Sequence, residues 1–215
     1  MTLADRFCRG TCFGLVLLCI FVVNTGCRSS RPAAVVELRA TDDSRRMEQR
    51  FSKAYFSRDA GGDYDFVLFE QVNPSGKGSK RGTIDNIDAP PLTQVLHIKV
   101  LWRAKTMFRG DAPSATNCTL RYTVLAGDDS GAVTYDGVGF ANVYGSDAQV
   151  RVILSNASLK PSGKRGTLED PIGQSTLETD FKAKHDSTAV KDILSMARDA
   201  GITDRTNPPP RPPTP

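Results

Sequence analysis

Asn117-Cys-Thr-Leu-Arg-Tyr-Thr-Val-Leu-Ala126 and Ala132-Val-Thr-Tyr-Asp-Gly-Val-Gly-Phe-Ala-Asn-Val-Tyr144 are joined by Gly127-Asp-Asp-Ser-Gly131. In the first run Cys118, Leu120, Tyr122 and Val124 alternate with Thr119, Arg121 and Thr123, the two-residue period of a half-buried strand. A Gly/Asp-rich turn between two such runs predicts a hairpin. Gly137 and Gly139, two residues apart in the second run, predict a bulge or a sharp bend.

The same period extends outward in both directions. Residues 64–72 form a short apolar run. Residues 92–103 set Leu96, Ile98, Val100 and Trp102 against His97, Lys99 and Arg103. Beyond Gly145-Ser146-Asp147, the residues Ala148, Val150, Val152 and Leu154 predict a second hairpin. Ser175, Leu177, Thr179, Phe181 and Ala183 alternate with charged and polar neighbours. Val35–Leu38 reads as a first strand. Two segments read as helices instead. Thr41 or Asp42 caps one that ends near Ser57, with Met47, Phe51, Ala54 and Tyr55 on one face. Asp186 or Ser187 caps the other, over 187–200, with Val190, Ile193, Leu194 and Ala197 as its stripe and Gly201 as its stop. The expected fold is α+β: a mainly antiparallel sheet of six or seven strands with one amphipathic helix near each end. A β-sandwich or an open barrel is the alternative.

At the other end of the chain, Arg6 and Arg9 precede an apolar run from Cys12 to Val23, which stops at Asn24-Thr25-Gly26-Cys27. A basic start, a short apolar middle and small residues at the end describe a secretory signal. With Cys directly after Thr25-Gly26, the segment resembles the signal of bacterial lipoproteins, although Asn24 stands where that family has an aliphatic residue. The resemblance implies cleavage before Cys27, lipid on its thiol and attachment to a membrane of the cell envelope. With Arg28 after the Cys, it implies the outer membrane if the host has one. Twelve apolar residues would span about 18 Å as a helix, against a hydrocarbon core of about 30 Å. A single-span anchor and plain secretion are the other readings of this segment. The expected organisation is a signal peptide over 1–26, Cys27 and a tether over 27–34, one domain over 35–204 and a Pro-rich tail over 205–215. That tail holds six of the thirteen prolines and suits an extended polyproline segment.

Residues 1–26 hold two Arg and one Asp, so the exported part stays near charge balance, which argues against nucleic acid as a partner. Cys118 reads as an inert buried residue. His97 reads as a sheet-surface residue. His185-Asp186-Ser187 reads as helix-capping chemistry, since triads assemble in space and not by adjacency. Two His and one inward Cys do not suit zinc, and Asp128, Asp129 and Asp136 lack the spacing of a calcium loop. Pro74-Ser-Gly-Lys77 recurs as Pro161-Ser-Gly-Lys164, and both copies read as solvated loops without a phosphate-binding signature. No catalytic, cofactor-binding or metal residue is assigned, and Cys27 is the one site residue. The expected function is binding or assembly at the envelope by a lipid-anchored protein, through the membrane and an envelope protein partner. A hydrolase whose carboxylates, such as Asp65, Glu70 or Glu178, converge only in the fold is the first alternative. A small-ligand carrier with an apolar cavity is the second.

Overall fold

The computed structural model describes residues 31–42, 45–72, 91–102, 116–127 and 131–200. The expectations for the leader and Cys27, the first Pro-Ser-Gly-Lys loop, Asp128 and Asp129, and the tail lie outside the described residues. Among the described residues stand nine strands: β1 Ala34–Ala40, β2 Arg46–Phe51, β3 Lys53–Arg58, β4 Tyr64–Val72 and β5 Leu92–Val100 lead. After them come β6 Cys118–Ala126, β7 Gly131–Gly145, β8 Gln149–Gly166 and β9 Ser175–His185, and then one helix, α1 Ser187–Ala200.

From β3 to β9 each strand pairs antiparallel with the next, and β9 returns to β3 in a parallel pairing through Tyr55↔Lys184 and Phe56↔His185. Seven strands thereby close a barrel. β1 lies on the same edge of β9, alongside its first half, and carries β2 on its far side. The fold is therefore mostly β, nearer to the barrel alternative than to a sheet flanked by two helices.

The helix expected from Thr41 or Asp42 to Ser57 is corrected to β2 and β3. Strand alternation runs through both, with Met47 packed against the core and Phe51 buried in it, then Ala54 and Phe56 buried. At Ser52 the phase slips by one residue. Phe51 and Ala54 therefore face inward three positions apart, a spacing that imitates a helical stripe.

Alternation sorts the wall into an apolar inside and a polar outside. Phe51, Phe56, Phe66, Leu96, Ile98, Tyr135, Leu154 and Leu177 are fully buried, so the interior is filled by side chains. Aromatic packing links them: Tyr64 and Phe66 stack with centroids 5.7 Å apart, and Phe66 meets Phe181 edge-on at 6.1 Å. A second, smaller core lies outside the barrel. There Val190, Ile193, Leu194 and Ala197 of α1 cover Tyr55 of β3, Val67 and Phe69 of β4 and Val95 of β5. Asp186 caps this helix, accepting the Ala189 N–H at 2.9 Å. Val190 is buried and Leu194 half-buried. Val190→Ala is expected to lower unfolding stability by about 2 kcal/mol and Leu194→Ala by no more than that, read from urea titrations.

The bend signalled by Gly137 and Gly139 is present. The β7–β8 register shifts between Val138 and Phe140, and β8 answers with a bulge at Asn156, whose φ is 51°. Both glycines turn toward the core. A Cβ on Gly139 would lie 2.6 Å from that of Ala157.

Candidate functional site

The described strands carry their charges outward, several of them as pairs. Arg46 of β2 bonds Glu37 of β1, and Arg121 of β6 holds Asp136 of β7 at 2.8 Å. Arg151 of β8 holds Asp180 of β9, also at 2.8 Å. A barrel that spans a bilayer has the opposite arrangement, with an apolar band facing out.

The three carboxylates proposed for a hydrolase do not converge. Asp65 of β4 bonds the His97 imidazole of β5 at 2.8 Å. Glu70, near the far end of β4, accepts the Ser52 N–H. Glu178 stands on β9, opposite Glu37. The His97 bond holds Asp65 below the usual carboxylate range against its partial burial. A carboxylate with a depressed folded pKa stabilises the fold above its unfolded pKa of about 3.9, and that support is lost as pH falls through the folded value. Asp65→Asn is therefore expected to flatten the loss of stability in acid below about pH 4, as urea titrations at stepped pH would show.

The His185-Asp186-Ser187 run is not a relay. The Ser187 hydroxyl lies 3.4 Å from His185 Nε2, while the Asp186 carboxylate turns to the helix N-terminus. Cys118 is buried, and that burial pushes its thiol up to about 12. Among the described residues no three His, Cys, Asp or Glu side chains gather as metal ligands. The second Pro-Ser-Gly-Lys copy corrects its reading as a loop. Pro161, Gly163 and Lys164 lie near the end of β8 and pair with β7, with Pro161 and Lys164 exposed.

One end of the barrel is stoppered by residues 168–174. Ile172 is buried there, and Asp170 accepts N–H groups from Ile172 at 3.0 Å and Gly173 at 2.9 Å as well as the Tyr135 hydroxyl. Although burial opposes its charge, these bonds keep Asp170 below the ordinary range. Burial, reinforced by Asp170, pushes Tyr135 well above a free phenol. Behind it, Tyr122 donates to Gln94 at 2.7 Å. The best-formed hollows among the described residues are open depressions on the outer wall. One of about 250 Å³ lies beside Tyr144, Gln149, Arg151 and Lys182. Another of about 390 Å³ lies beside Val35, Ile153 and Glu178.

The remaining feature is apolar and exposed. Leu101 is 48% exposed, Trp102 47% and Val138 46%, where single large apolar groups would otherwise be scattered. The half-buried Phe140 sets its ring edge-on to that of Trp102 at 6.0 Å, with Val138 two residues before it on β7 and Leu101 next to Trp102 in the chain. Alternation placed Trp102 inside with Ile98 and Val100, but β5 ends at Val100, and the Leu101 N–H turns to the Asn117 carbonyl at 2.9 Å. Asn117 then fixes the corner. Its buried amide accepts the Ala141 N–H at 2.7 Å and donates to the carbonyls of Ala141 at 2.8 Å and Trp102 at 3.1 Å. Gly137 and Gly139 face the core, so Val138 and Phe140 between and beyond them face out. The readable signal for this cluster was the Gly-Val-Gly-Phe run itself, which hands the outer side of β7 to two apolar residues. Comparison of the chain with protein-family models, curated proteins and solved structures finds no match.

Proposed function

We propose that the protein is lipid-anchored through Cys27 at the cell envelope and acts there in binding or assembly. The observation that carries the reading is the apolar run that ends at Thr25-Gly26-Cys27. Supporting it, the candidate carboxylates Asp65, Glu70 and Glu178 stand apart, each on a different part of the wall. The barrel interior is occupied by its own side chains where a carrier would hold cargo. The exposed Leu101, Trp102 and Val138, with the half-buried Phe140 against Trp102, offer apolar surface for contact.

Stable anchoring needs two or more acyl chains, since a single one binds only marginally. Wild-type cells fed a clickable fatty acid are expected to label the protein and to release a mature chain that begins at Cys27. Cys27→Ser is expected to abolish the label and leave a larger precursor. An unlabelled wild type whose N-terminus lies upstream of Cys27 would transfer the reading to a single-span anchor.

A further inference from the structure

We propose that two copies of this chain associate edge to edge, β2 against β2, as antiparallel strands about a twofold axis at Met47. The inference stands apart from the lipid-anchored reading of Cys27 and gives the fold a partner of its own, a second copy.

The backbone supplies the first argument. Among the described strands β2 alone has a single neighbour, β1, because β9 pairs with both β3 and β8 and closes the rest of the sheet. The Ala40 N–H donates to the Arg45 carbonyl at 2.9 Å, and in an antiparallel pair every second residue bonds across in this way. Met47 and Gln49 therefore direct their N–H and C=O groups to β1. Arg46 and Glu48 turn theirs away from it, an outward row of donors and acceptors that another strand can take up.

The charges supply the second argument, and they choose the partner. On the outer face Arg39 of β1 stands opposite Arg46 of β2, while Glu178 of β9, Glu37 of β1 and Glu48 of β2 stand in line. Like charges directly opposite one another disfavour pairing. Within one copy they are answered along diagonals, Arg46 bonding Glu37, and by Arg50 with Glu48 at 2.9 Å. A twofold axis at Met47 sets Arg46 opposite Glu48 of the second copy, and Glu48 opposite the second copy's Arg46. Each basic row then runs on into an acidic row, and the axis makes that match twice. An axis at Glu48 would set Glu48 against itself and Arg46 against Arg50. An axis at Gln49 would use the end of β2 that turns into the barrel, where Phe51 is buried and the Ser52 N–H bonds Glu70.

The test uses the full chain in detergent with Cys8, Cys12, Cys19 and Cys27 changed to Ser, which leaves the buried Cys118 as its only cysteine. Met47→Cys in that chain brings two thiols together across the axis, with Cα atoms about 4.5 Å apart, inside the range of a disulfide. Mild oxidation is expected to convert most of it to a disulfide-linked dimer. Gln49→Cys puts its two thiols about 13 Å apart along the strands and is expected to stay monomeric. Arg46→Glu or Glu48→Arg, added to the Met47→Cys chain, sets like charges across the axis, and each is expected to lower the dimer yield at least about fivefold. An equal mixture of those two variants pairs opposite charges at both positions and is expected to restore the yield. Absence of cross-linking at Met47 would overturn the proposal, as would a yield at Gln49 that equals or exceeds it. Single charge variants that cross-link as well as their parent, or a mixture that stays monomeric, would overturn it too.

Discussion

Replacing Asn117 with Ala is expected to remove about 3–5 kcal/mol of stability, read as a lower urea midpoint at unchanged slope. The side chain is fully buried and bonds both backbone groups of Ala141 as well as the Trp102 carbonyl. Ala in its place leaves the two buried Ala141 groups without partners, at about 1–3 kcal/mol for each, and removes the part-buried bond to the Trp102 carbonyl. The amide bridges β6 to β7 just beyond Gly139, where the register of β7 with β8 shifts. Asn117→Asp retains the acceptor for the Ala141 N–H but loses both donated bonds and buries a charge, so it is expected to do no better. A loss under about 1 kcal/mol for Asn117→Ala would mean that water enters the corner and takes over the bonds.

Gly137→Ala is expected to cost about 3 kcal/mol or more, for a different reason. Its Cβ would stand 2.0 Å from the Ser158 carbonyl oxygen and 2.9 Å from the Leu159 side chain. A backbone oxygen inside the β7–β8 ladder has nowhere to move unless the ladder opens. Gly173→Ala is the control, with φ +69° but open space around the new carbon. It carries only the left-handed backbone penalty of about 1–2 kcal/mol. Thermal melts of the two variants separate crowding from conformation. Equal losses would show that the corner yields and that Ser158 is not held in place.

Much of the barrel could be read from alternation alone. β6, β7, the start of β8, β9, the Gly-rich bend and the final helix with its Val190–Leu194 stripe stand where the period of apolar residues puts them, whereas the second half of β8 runs through Pro161–Lys164, which read as a loop. Two things escaped for physical reasons. The one-residue slip at Ser52 sets Phe51 and Ala54 three apart, and periodicity counts do not separate such a slip from a helical turn. Closure also escaped, since it depends on partners far apart in the chain: Leu38 meets Leu177, and Phe56 meets His185. The exposed cluster was half legible. Val138 and Phe140 follow from the glycines beside them, but Trp102 continued an inward pattern until Asn117 drew its carbonyl aside. The Asp65–His97 bond joins residues on neighbouring strands that no local pattern pairs.

β9 touches three other strands, and two of them, β1 and β3, lie near the start of the chain. A ribosome that has released every residue up to 174 has produced eight strands and no strand to close them. Until residues 175–185 emerge, β1 lacks its neighbour on one side, and the hairpin it forms with β2 has no barrel to lean on. Pairings that span so much chain make folding slow. Among the described strands β9 is made last, and the barrel is held open to rearrangement until residues 175–185 are free to pair with both ends of the sheet.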